Sequence, residues 1–146
     1  MTARYDAPNA IDRAFNRVFT FLLGLGLGLK HNYLLEVRGR TTGRLHVVPV
    51  DLLDLEGRQF LVAGRGRTHW VRNAEAAGEV ALRKGRTRRR FTVRAVPPVE
   101  RPAILKAYLD RFKPTVQRYF PVRAGSPASD FVDVAEGYPV FELTPR

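Results

Sequence analysis

Two short segments gather the residues able to hold an anion. One is Arg38-Gly-Arg-Thr-Thr-Gly-Arg-Leu-His-Val-Val-Pro49, and the other is Gly64-Arg-Gly-Arg-Thr-His-Trp-Val-Arg-Asn73. The first has the pattern of strand, tight turn and strand; the second has the pattern of a glycine loop entering a helix. Each would set guanidinium groups and backbone N–H groups at a loop end, the chemistry of a phosphate or carboxylate site. Other chemistry finds less support. With no cysteine there is no thiolate ligand or disulfide. His31, His46 and His69 lack metal-ligand spacing to acidic partners. Gly24, Gly26 and Gly28 follow a helical pattern, so they do not form a dinucleotide fingerprint. Ser126 and Ser129 lie in a Gly/Ser/Pro stretch without a nucleophile elbow.

The elements that must position these segments are mostly strands. Apolar runs at Tyr33–Val37, Leu45–Leu55 and Gln59–Ala63 predict three strands, and Pro49 predicts an edge or a bulge in the second. Thr68 is a candidate N-cap for a helix over Thr68–Ala77, ended by Gly78. Val80–Lys84 and Arg88–Val96 predict a hairpin around Gly85, and Tyr138–Leu143 a last strand. Ile104, Leu105, Tyr108, Leu109 and Phe112 form one face of a helix over Val99–Lys113 that Pro114 interrupts. At the N-terminus, Ile11, Phe15, Val18, Phe19, Leu22 and Leu23 predict an amphipathic helix from Ala10 to Leu23, fading into a Gly-Leu stretch that ends near residue 30. Its 12-residue uncharged run is too short to span a bilayer, which takes about 20 apolar residues. Packing across the domain is the first expectation for this helix, and contact with a membrane surface the second. The order predicts an α+β, mainly β protein: one domain over residues 1–146, a small barrel with helices packed on it.

Charge sharpens the anion reading. The chain carries a net +11, and residues 38–94 hold 14 basic against 5 acidic side chains. An excess concentrated in the middle of the chain points to a local anionic partner. A nucleic acid is one such partner: Arg83–Arg94 would make a basic β-ribbon, with Arg88, Arg90 and Arg94 on one face. Only Phe91 supplies an aromatic there, and the glycine turn would have no role.

The turn Gly39-Arg-Thr-Thr-Gly-Arg-Leu-His-Val-Val-Pro49 resembles the signature of the deazaflavin-dependent nitroreductase family. Trp70-Val-Arg-Asn73, Ala76-Ala-Gly78 and the closing Tyr138-Pro-Val-Phe-Glu-Leu-Thr-Pro145 resemble the same family in order and spacing. The resemblance implies a split β-barrel of the FMN-binding-like type with N-terminal, middle and C-terminal helices on the barrel. It implies an oxidoreductase using coenzyme F420, with FMN as the alternative cofactor, acting on a small quinone- or nitro-like acceptor. A cofactor carrier without turnover is a second reading. Arg40, Thr41, Thr42, Gly43 and Arg44 would take the phosphate and the oligoglutamate tail, with His46 and Val48 beside them. Pro49 and Val50 would lie along the ring, Gly64, Arg65, Gly66 and Arg67 would hold more of the tail or ring, and Trp70 and Asn73 would fix that loop. Trp70 equally suits a core anchor, and Asn73 a helix-terminal hydrogen bond. Tyr108, Phe112 and Phe120 are substrate-pocket candidates, with helix core as their other reading. Tyr119 and Asp51 are candidate proton donors. Four positions depart from the family pattern: Thr41 stands for a lysine, His46 for an arginine, Gly64 for a serine and Asp51 for an aromatic. A cytoplasmic monomer or homodimer is expected.

Overall fold

The computed structural model describes Arg17 and residues 30–146; the expected N-terminal helix and Gly-Leu stretch lie outside these apart from Arg17. Seven strands form one antiparallel sheet: β1 (Asn32–Arg38), β2 (Leu45–Asp51), β3 (Leu53–Leu55), β4 (Arg58–Val62), β5 (Glu79–Lys84), β6 (Thr87–Ala95) and β7 (Val140–Pro145). Helix α1 spans His69–Ala77 and helix α2 spans Arg101–Val116. The spatial order is β2-β1-β5-β6-β7-β4-β3. The two edge strands, β2 and β3, are therefore consecutive in the chain and separated by Leu52 alone. A sheet whose edges are one residue apart has to curl round on itself, and the result is a split β-barrel.

Alternation along the strands divides the apolar residues between two cores. Leu35, Val37, Leu61, Val80, Leu82, Phe91, Phe141 and Leu143 fill the barrel, and Val71 and Ala74 of α1 join them. Phe60, Val62 and Val140 point the other way, where Ile104, Leu105, Leu109 and Phe112 of α2 cover them with Phe131 and Tyr138. Each such buried side chain stabilises the fold by roughly 1.5–3 kcal/mol.

Three local outcomes differ from the sequence reading. The run Leu45–Leu55 breaks at Leu52, where the chain passes from one edge of the sheet to the other. Pro49 does sit on an edge strand, where its missing N–H costs no sheet bond. Helix α2 continues past Pro114 to Val116, and a non-helical Phe112 (φ −111°, ψ 22°) absorbs the clash that a proline ring imposes on the preceding turn. A 3-10 segment, Ala128–Gly137, follows the Gly/Ser/Pro stretch, where the sequence reading placed no element. Among the described residues no helix is long and apolar enough to cross a membrane, and no group of three metal-ligating side chains forms.

Candidate functional site

The turn between β1 and β2 is closed by its own backbone. Gly39 N–H donates to the Arg44 carbonyl at 2.7 Å, and Gly43 N–H donates to Gly39 at 3.0 Å. Gly43 holds φ +74°, a left-handed conformation that a glycine adopts without strain. Arg44 N–H donates to Thr42 Oγ1 at 3.2 Å. Gly39, Gly43 and Arg44 thus spend their N–H donors inside the turn, and the side chains add the charge an anion would need. Gly39 is needed for a second reason: a Cβ there would stand 2.7 Å from His46 Nε2.

Helix α1 anchors this turn. Asn73 is buried, and its Oδ1 accepts from the Arg40 backbone N–H at 3.0 Å and from Arg40 Nη1 at 2.7 Å. Arg40 Nη2 reaches His69 Nδ1 at 3.4 Å. The clamp is a tertiary bond across 33 residues. Asn73 therefore fixes the β1–β2 turn, whereas the sequence reading assigned it to the Gly64–Arg67 loop. Trp70 packs at the barrel rim, 5.8 Å from the Phe141 ring, as a core anchor. Thr68 occupies the N-cap of α1 but makes no cap bond, and its Oγ1 is buried without a partner. The Arg44 and Arg72 guanidinium groups have no bonded partner among the described residues.

The Gly64–Arg67 loop is a locked connection more than an open cradle. Gly66 N–H donates to Ala63, and Thr68 N–H donates to Gly66. Arg67 pairs with Glu75 at 2.8 Å. A Cβ on Gly64 would meet the Tyr119 ring at 3.2 Å, which accounts for glycine where the related pattern has serine. The Tyr119 hydroxyl accepts from Arg65 at 2.9 Å and from Arg118 at 2.6 Å, and both guanidinium groups lie over its ring.

At the far end of β2, Asp51 Oδ1 meets His31 Nδ1 at 3.0 Å and accepts from Asn32 Nδ2 at 2.7 Å. Burial pushes the Asp51 carboxyl above its ordinary value, against the pull of His31 and Asn32. The His31 ring lies 4.5 Å from that of Phe112. Tyr108 is buried, and burial together with the nearby Asp51 and Tyr119 drives its hydroxyl pKa far upward. A phenol so disfavoured as phenolate is a poor proton donor near neutral pH. Tyr108, Phe112 and Phe120 are core residues of α2 and the segment after it, and Phe120 stacks on Tyr138 at 4.4 Å, so this structure gives them a packing role.

Strand geometry also corrects the expected ring contacts. His46, Val48 and Val50 face the barrel interior, and Pro49 and Asp51 face the opposite side. Pro49 and Val50 therefore cannot line the same surface. Sequence reading set His31 aside with the other histidines; its only signal was the pairing of Asn32 with Asp51 across the ladder, which no linear spacing displays.

Residues 13–123 match the family model of the F420H(2)-dependent quinone reductases. The chain belongs to that family. The reductase is accordingly a coenzyme F420-dependent oxidoreductase, as the turn and helix motifs led one to expect. Solved structures support the fold. An F420-H2 dependent reductase (FDR-A) is 20% identical, with TM-score 0.54, over 79% of this chain and 95% of that one. A structure described as a domain-swapped dimer is 18% identical, with TM-score 0.56, over 92% and 96%. HutZ, the haem storage protein of Vibrio cholerae, is 14% identical, with TM-score 0.54, over 80% and 82%. A search of curated protein sequences finds no match.

Proposed function

We propose that the whole chain acts as one cytoplasmic split-barrel domain that reduces a quinone-like acceptor. Coenzyme F420, when bound in its reduced form, supplies the hydride. The observation that carries the site assignment is the clamp of Arg40 onto Asn73. It holds the Arg40 guanidinium 3.4 Å from His69 Nδ1 in the first turn of α1, a donor set suited to a phosphate. Arg44 and Arg72, without a partner among the described residues, add charge for the oligoglutamate tail, and Thr41, Thr42 and Gly43 shape the turn that carries Arg40 and Arg44. Two charge-assisted bonds from Arg40 and Arg44, at roughly 1.5–3 kcal/mol each, would supply much of the ~8 kcal/mol of a micromolar complex. Thr41 and His46, where relatives carry lysine and arginine, remove two permanent charges and predict a shorter or weaker hold on the tail.

β2 then gives direction to the site. It runs seven residues from Leu45, beside the turn, to Asp51. At ~3.3 Å per residue the two ends lie about 20 Å apart. Phosphate chemistry belongs at the Leu45 end and acceptor chemistry at the Pro49–Asp51 end. The test is fluorescence titration of the full chain with F420 and with FMN, followed by oxidation of the reduced cofactor by a soluble benzoquinone or a nitroarene. Micromolar F420 binding that Arg44→Ala weakens at least tenfold, and faster oxidation by the quinone, is the expected result. Unchanged affinity in Arg44→Ala would show that the phosphate lies elsewhere.

A further inference from the structure

Three features of the described residues remain without a role in cofactor binding. A groove of about 360 Å³ on the outer face of β1, β5 and β6 is walled by Glu36, Arg38, Leu45, Glu79, Arg88 and Arg90, but its carboxylates already carry arginine partners. A cleft of about 470 Å³ beside Lys113, Arg118 and Arg123 is basic, yet nothing defines its occupant. The third feature is the His31–Asp51 pair, and its geometry goes furthest.

We infer that His31, oriented by Asp51, is the acid that protonates the reduced acceptor. The inference rests on the quinone-reductase reading above. His31 Nδ1 stands 3.0 Å from Asp51 Oδ1, so in the doubly protonated ring that nitrogen donates to the carboxylate, which sets the plane of the ring. Asn32 donates to the same oxygen and holds the carboxylate in place. Phe112 backs the ring at 4.5 Å. Nε2 is left with no partner among the described residues, on a side chain 27% exposed beside an Asp51 side chain 18% exposed. That half-sheltered placement suits a group that must meet a substrate.

The step balances as follows. A quinone that receives a hydride becomes a hydroquinone monoanion with one phenolate oxygen. That oxygen forms an O–H bond as the Nε2–H bond of the doubly protonated ring breaks. The bonding electrons stay on the imidazole, Asp51 keeps Nδ1–H in place, and water restores the proton at Nε2.

The experiment compares wild type, His31→Asn and His31→Ala, each loaded with reduced F420 and mixed with a soluble benzoquinone. Asparagine can still donate to Asp51 from the Nδ1 position but cannot deliver a proton from Nε2. A general acid contributes about 100-fold or more. His31→Asn is therefore expected to lose about 100-fold in kcat, with F420 affinity and quinone KM within about threefold of wild type. Added imidazole should restore part of the His31→Ala rate, which a purely structural histidine would not allow. A His31→Asn rate near wild type, or no rescue of His31→Ala, overturns the inference while leaving cofactor binding intact. Wild type that binds F420 but passes no hydride to the quinone overturns it as well, and the acceptor assignment with it. Wild type that fails to bind F420 strikes the cofactor site itself, which the titration reads separately.

Discussion

Two groups of arginines sit in different parts of the molecule, and they behave differently. On the outer face of the sheet, arginines are tied in pairs to single glutamates: Arg83 and Arg88 to Glu36, Arg90 and Arg146 to Glu79, and Arg58 and Arg94 to Glu142. Each carboxylate bridges neighbouring strands or the chain end, so these arginines serve the sheet. At the β1–β2 turn, Arg40 is bound by an uncharged amide, and Arg44 and Arg72 have no partner among the described residues. These keep their charge available. Counting arginines along residues 38–94 merges the two groups, although one is structural and the other faces a ligand. The same contrast weakens the nucleic-acid reading, since the basic ribbon spends much of its outward face on glutamates.

The contrast can be broken by mutation. Arg40→Ala is expected to weaken F420 binding by about 1.5–3 kcal/mol, roughly 10- to 150-fold, with a smaller effect on melting temperature, since the backbone N–H of residue 40 still donates to Asn73. Fluorescence titration reads it, and retained affinity would move Arg40 into the structural group. Glu36→Gln should do the reverse. Its carboxylate is 7% exposed and accepts from Arg83 at 2.9 Å and Arg88 at 2.6 Å. Loss of that charge should cost about 1–2 kcal/mol in urea unfolding and leave F420 affinity within twofold. If affinity falls with stability, the two groups are coupled through β1.

The smallest effect concerns acid. The hydrogen bond from Arg58, then that from Arg94, holds the Glu142 carboxyl down to about 2 from an ordinary 4.5. A depressed carboxyl contributes stability that is complete above pH 4.5 and is lost as pH falls from 4.5 towards about 2. Wild type and Glu142→Gln should therefore differ in denaturant midpoint above that window and converge at its acid end. Parallel curves across the window would mean that the pair contributes nothing measurable.

Much of this was legible in the residues. Gly43 and Pro49 announced the turn and the edge strand, because Gly43 holds a left-handed backbone and Pro49 lacks an N–H for the sheet. Gly78 ends α1 at φ +71° where the sequence placed its stop. The apolar face of α2 was readable from its spacing, although Pro114 only kinked the helix because packing on both sides outweighs one lost bond. Among site residues, Arg40 and Asn73 were both named, but their mutual bond was not, since it joins groups 33 residues apart. His31 was set aside with the other histidines because its partner Asp51 lies 20 residues away.

The sequence by itself determined the local grammar of this protein: the strands, the closed turn, the helix stop, the family signature and the need for an anionic partner. These follow from backbone preference and short-range spacing, which a linear chain displays directly. Only the tertiary structure decided which arginines are spent and which are free, that Pro49 and Val50 point to opposite sides, and that His31 meets Asp51. Such outcomes depend on curling the sheet until β2 and β3 become its two edges, and pairings of that kind are set by long-range contacts that no local pattern records.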